Sequence, residues 1–156
     1  EWKWMLQRFS PTGTYLDGVF STFCDSPTPP CPTPPQDSPR ALLLQGDGKV
    51  LIAGFGSGAS ATRDFAVARL YRTLGFDATF GAGGTRTYDL GWGIGTASDT
   101  GTAMAFDRDG RIVLAGSAEW SGPDTDFAWA RFDSSYIFAD GFDWPGGWTR
   151  WSSTLP

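Results

Sequence analysis

Short apolar runs separated by glycine, proline and aspartate set the pattern of this chain. The runs Val50-Leu-Ile-Ala53 and Ile112-Val-Leu-Ala115 carry no polar residue, which predicts strands covered on both faces. In Asp64-Phe65-Ala66-Val67-Ala68-Arg69-Leu70, the period of two sends Phe65, Val67 and Arg69 to one side and Ala66, Ala68 and Leu70 to the other. The small alanines leave room for a neighbouring sheet. Asp47-Gly48 and Asp109-Gly110 stand between apolar runs and predict two-residue hairpin turns with positive φ. Thr85 to Leu90 alternates and reads as one more strand. No window holds the i, i+3, i+4, i+7 spacing of a helix.

The pattern repeats. Ala41 to Gly54 aligns with Ala103 to Gly116 at an offset of 62 residues, and Asp64 to Leu70 aligns with Asp126 to Phe132 at the same offset. The opening segment Lys3 to Phe9 matches the same unit, with Arg8 in the place of Arg69 and Arg131. Leu16-Asp17-Gly-Val-Phe20 then resembles Phe76-Asp77-Ala-Thr-Phe80. Recurrence of the arginines and of Asp17 and Asp77 reads as structural ion pairing within each unit. The predicted architecture is all-β, built from tandem four-stranded antiparallel meanders. It divides into a half unit at 1–23, a Pro-rich loop at 24–39, a unit at 40–90, a unit at 102–142 and a Trp-rich tail at 143–156. An incomplete propeller and a two-sheet β-sandwich both accommodate it.

An Asp-Gly turn, an apolar run ending Ala-Gly, an Asp-Phe-Ala-x-Ala-Arg strand and a Leu/Phe-Asp-x-x-Phe turn together resemble the delta-sixty repeat of secreted bacterial proteins. The ending, Ile137-Phe-Ala-Asp-Gly-Phe142 followed by Trp144, Trp148 and Trp151, is similar to a C-terminal segment of exported proteobacterial proteins. The resemblance covers about residues 1–133 and departs from the family at 10–15 and in the insertion at 25–39. It implies export, a propeller-like β-repeat fold and an extracellular or cell-surface location. It brings no catalytic residue and no cofactor.

About two and a half blades are legible, whereas closed propellers use about four to eight. The expectation is therefore of open sheet edges: an N-terminal one carrying Trp2, Trp4, Leu6 and Phe9, and a C-terminal one carrying Phe138, Phe142, Trp144, Trp148 and Trp151. Open apolar edges are normally blunted by charge, proline or cover. Pairing the start of one copy with the end of the next would satisfy them and yield a homo-oligomer, closed as a ring or open as a filament. The chain starts inside a strand-like segment, so it reads as a processed polypeptide whose export signal has been removed.

Composition agrees with this and removes other functions. The 21 glycines, 11 prolines and 12 phenylalanines against 2 methionines suit short strands and tight turns. A net charge of −5 with scattered cations gives no basic stripe for nucleic acid, and no apolar run is long enough to span a bilayer. The absence of histidine eliminates Ser-His-Asp and Cys-His catalysis and most metal centres. Asp107-Arg-Asp109-Gly110 resembles the opening of a calcium loop, but the equivalent Gln45-Gly-Asp47-Gly48 lacks the first carboxylate, so a hairpin turn is the reading and no metal site is assigned; Asp124 and Asp126 with Asp99 could still gather a weak calcium ion in a loop. Cys24 and Cys31 flank a proline-rich stretch and read as a disulfide that rigidifies a surface loop in an oxidising compartment. Ser and Thr among those prolines are compatible with O-linked glycans, and loop tryptophans such as Trp92 and Trp120 could stack on bound sugars. With no asparagine in the chain, N-linked modification is excluded. The functional expectation is a non-enzymatic extracellular structural protein that self-assembles through its terminal strands. The alternatives are a secreted carbohydrate-binding or adhesion module and a piece of a larger propeller.

Overall fold

A computed structural model describes residues 3–23, 36–57, 62–90, 97–121 and 124–132, with the side chains of 120 and 121 left undescribed. Strands account for the regular structure, and no helix is present among these residues. Nine strands run in chain order: β1 (Trp4–Phe9), β2 (Tyr15–Ser21), β3 (Ser38–Leu44), β4 (Val50–Ser57), β5 (Arg63–Leu70), β6 (Thr85–Tyr88), β7 (Asp99–Phe106), β8 (Ile112–Ser121) and β9 (Asp124–Phe132). They form three antiparallel meanders: a first sheet β1-β2, a second sheet β3-β4-β5-β6 and a third sheet β7-β8-β9. No described helix is long and apolar enough to cross a membrane.

The second sheet is packed on both sides, which explains why β4 is apolar almost throughout and buried along its whole length. Its front face offers Val50, Ile52, Ala66, Ala68 and Leu70 to Trp4 and Phe23, with Leu6 and Val19 packed at the margin. Its back face offers Leu51, Ala53, Phe65, Val67 and Phe80 to Ile112, Leu114, Ala130 and Phe132 of the third sheet. At the 62-residue offset, Ile112, Leu114, Ala130 and Phe132 stand where Val50, Ile52, Ala68 and Leu70 stand. The same repeat face is thus used at both junctions. Each sheet lays its front on the back of the sheet before it, the stacking of propeller blades.

The Ala-Gly that closes each apolar run has a geometric cause. At Gly54 an added Cβ would lie 2.0 Å from the Ser38 carbonyl oxygen, and at Gly116 it would lie 1.9 Å from that of Thr100. These are the points where the first strand of each unit shifts register, between Pro39 and Ala41 and between Gly101 and Ala103. Only glycine lets the two backbones approach so closely.

Two sequence expectations need correction. The Asp47-Gly48 and Asp109-Gly110 connections are not two-residue turns. In each, residues 45–49 or 107–111 close with two bonds: Gly48 N–H to the Gln45 carbonyl at 2.9 Å and Gln45 N–H to that of Lys49 at 2.8 Å, with the counterparts Gly110 to Asp107 and Asp107 to Arg111. Only the glycines take positive φ, 85° and 79°. The aspartates stay right-handed, the arrangement of a type I turn followed by a left-handed glycine. Ser10 to Thr14 and Tyr71 to Gly75 repeat the bonds, with Gly13 and Leu74 in the left-handed place.

Trp4 and Leu6 are the second correction. The alternation of β1 turns positions 4, 6 and 8 inward, so Trp4 is buried with its ring 5.5 Å from Phe23 and 5.9 Å from Phe76, and Leu6 is half-buried. They belong to the core between sheets, not to an exposed rim. Phe9 is exposed and meets Tyr15 edge-on. Trp2, Phe138, Phe142, Trp144, Trp148 and Trp151 lie outside the described residues, as do Cys24, Cys31 and most of the Pro-rich loop.

Gly116→Ala should cost about 1–3 kcal/mol by forcing β7 and β8 apart, whereas Gly46→Ala, with nothing within 4 Å of its added Cβ, should leave stability nearly unchanged. Urea unfolding of the two variants beside the parent chain checks this; equal midpoints would refute the close-approach account.

Candidate functional site

The most elaborate polar cluster is centred on Asp77, which is fully buried. Its Oδ2 accepts from Arg69 Nε at 2.9 Å and lies 3.1 Å from Lys49 Nζ. Its Oδ1 accepts from Tyr71 Oη at 3.0 Å, from the Thr79 amide at 3.1 Å and from Thr79 Oγ1 at 2.6 Å. Burial alone would push this carboxyl up; the bonds from Thr79, Lys49 and Tyr71 outweigh it and hold the group well below the ordinary carboxylate range. Arg69 is buried too and lies over the Phe80 ring, 4.6 Å from its centroid. The group locks the excursion between β5 and β6 onto the sheet: the Asp77 amide donates to the Arg69 carbonyl, and the Arg69 amide to that of Gly84.

In the first sheet the same pairing recurs in more open form. Arg8 Nε donates to Asp17 Oδ1 at 2.9 Å across β1 and β2, and its Nη1 reaches the Arg72 carbonyl of the second sheet at 2.7 Å. Arg131 is exposed on β9, and the segment that follows it lies outside the described residues. Asp109 sits in its turn with Arg111 bound to both it and Asp107, while Asp47 accepts the Lys49 amide. Asp107 accepts the amides of Asp109 and Arg111, each at 2.9 Å, so its oxygens serve the turn. Among the described residues no group of three His, Cys, Asp or Glu side chains could hold a metal ion.

Two further carboxylates have a role at the sheet junctions that the sequence reading did not give them. Asp37 and Asp99 are buried and stand at the 62-residue offset, upstream of the aligned blocks. Asp37 accepts the Phe23 amide, at the end of the first sheet, at 2.9 Å and the Ser57 amide of β4 at 3.3 Å. Asp99 accepts the Leu90 amide, which follows the second sheet. Each carboxylate therefore pins the end of one sheet to the start of the next. Burial pushes Asp99 up to about 6; the amides of Leu90 and Glu119 pull against it, and the charges of Asp89 and Glu119 add to it. Extending the self-alignment from Ala41 and Ala103 back by a few residues would have exposed the pair.

The remaining feature is apolar and exposed. Phe65 is 1% exposed, but its repeat equivalent Phe127 is 77% exposed; Val67 is 1% exposed and its equivalent Trp129 46%. At the other end, Met5, Phe9, Tyr15 and Phe20 are exposed together on the outward face of the first sheet, where Met5 pairs with Phe20 and Phe9 with Tyr15. The described residues thus bring together ion-pair and sheet-junction clusters of structural character, and two open faces.

With that geometry in hand, comparison with known proteins finds one family, described as "Domain of unknown function (DUF5122) beta-propeller", matching residues 45–80 and 108–135. The two matched stretches begin near the glycine turns of the second and third sheets and take in the strands that stack. No curated protein and no solved structure matches the chain. Fold and family match define a propeller-like β-repeat protein.

Arg69→Ala leaves the Asp77 carboxylate without its buried cation and should lower stability by about 3–5 kcal/mol; thermal melts against Arg8→Ala, which should cost far less, check it. A loss at Arg69 no larger than at Arg8 would refute the assignment. The Asp99 carboxyl, with its pKa raised from 3.8 to about 6, contributes stability that is present in acid and lost as pH rises through about 6. Asp99→Asn should accordingly flatten the decline of the melting temperature across that window, and an unchanged slope would contradict the upward shift of this buried carboxyl.

Proposed function

We propose that this chain is a non-enzymatic structural protein of the cell exterior, carrying blade repeats of the delta-sixty type, whose copies join through their terminal sheets. The observation that carries the reading is the contrast between Phe65 and Phe127. One position in one repeat is sealed against the next sheet, and its equivalent in the final described sheet faces solvent. Monomeric soluble proteins seldom leave a contiguous aromatic face open unless it is used. Covering three or four such side chains contributes roughly 6–10 kcal/mol before the costs of association, enough for a stable contact. The ion-pair clusters support a structural role, since Arg8 with Asp17 and Arg69 with Asp77 satisfy one another within the first and second sheets. The export expectation rests on the repeat formula and on the ending of the sequence.

A second reading is favoured by one feature of the second sheet. Leu42 and Leu44 on β3 are 50% and 67% exposed, while their equivalents Met104 and Phe106 are half-buried against the core between the second and third sheets. In the third sheet β7 packs against β3 and β4; the first sheet, with only β1 and β2, offers the second sheet no such cover among the described residues. In this reading the chain is part of a larger propeller, and further strands of one polypeptide complete the first sheet.

Sedimentation velocity of this chain over a wide concentration range separates the two. Self-association predicts species that grow with concentration; a monomer at every concentration favours the larger propeller and removes the assembly reading.

A further inference from the structure

Building on that self-association, we infer that copies join front to back: the outward face of the first sheet of one copy seats on the back of the third sheet of a second copy. Inside the chain the same junction occurs twice. The inner face of the first sheet, with Trp4 and Leu6, lies on the front of the second sheet, and the back of the second sheet lies on the front of the third. Two faces of the series stay exposed, at Phe127 and at Met5, Phe9 and Phe20, and they are the two that a continued stack would mate.

The residues match the roles. On the third sheet, Phe127 and Trp129 occupy the places of Phe65 and Val67, with Val113 and Ala115 in the places of Leu51 and Ala53. On the first sheet, Met5 and Phe9 occupy the places of Ala66 and Leu70, the positions that receive the preceding sheet elsewhere. The cross-strand partners Phe20 and Tyr15 widen this face. Polar character enters at Gln7, where the other two units have Ala68 and Ala130. Each face is the repeat equivalent of one side of the internal junction, so it complements the opposite end and not itself. The contact is heterologous, and repeating it gives a ring or an open filament according to whether the rotation closes.

The occupant is therefore a second copy of this chain, and a mixing experiment tests it. One variant blocks the front with Met5→Lys and Phe20→Glu, an opposite-charge cross-strand pair that preserves the hairpin. The other blocks the back with Phe127→Asp and Trp129→Ser. All four side chains are exposed, and near-ultraviolet circular dichroism confirms folding. Should the second variant fold poorly, Phe127→Ser alone replaces it. The inference predicts that each variant sediments as a monomer and that an equimolar mixture forms a one-to-one heterodimer and nothing larger. A wild-type chain that associates while the mixture stays monomeric, or a variant that still self-associates, overturns the front-to-back contact and leaves self-association standing. A wild-type chain that is monomeric throughout overturns both.

Discussion

Everything in this structure depends on the apolar contact between the back of one small sheet and the front of the next. A single repeat unit cannot bury its apolar faces alone, and stacking neighbours buries them as a continuous core. The second sheet is stable because it is sandwiched: Val50, Ile52, Ala66, Ala68 and Leu70 face one neighbour, and Leu51, Ala53, Phe65 and Val67 face the other. Alanine on the front and larger side chains on the back set the spacing. The glycines at 54 and 116 let the first strand of each unit draw in against the second.

Polar groups are subordinate to that stacking and recur with it. Arg69 and Asp77 hold the excursion after β5 to its own sheet, and Arg8 performs a similar task while also reaching the Arg72 carbonyl of the second sheet. Asp37 and Asp99 act at the seams, where a carboxylate takes up amides that the change from one sheet to the next leaves without strand partners. Repetition of the seam residue along with the strands suggests that sheet and seam form one modular unit.

Much of this was legible from periodicity. The 62-residue offset located the units, the alternation in Asp64 to Leu70 assigned its two faces, and the uninterrupted apolar run in β4 reflected cover on both sides. What escaped had local causes. The type I turn with a left-handed glycine and the two-residue turn share an Asp-Gly dipeptide, so the dipeptide alone does not distinguish them. Trp4 reads as an edge residue because its strand opens the chain, yet its side chain follows the alternation inward. Asp37 was hidden in a proline-rich stretch that looked unlike the repeat. The open faces at Phe127 and Met5 required knowing which side of each strand is covered, a fact of packing between sheets that no single segment encodes.

Hydroxyl-radical footprinting, comparing Phe127 with Phe65 as protein concentration is raised, tests the stacking account most directly. The account predicts that Phe65 stays protected throughout, while Phe127 is oxidised in dilute solution and becomes protected as copies stack. Phe127 protected from the outset in a chain that sediments as a monomer would contradict it.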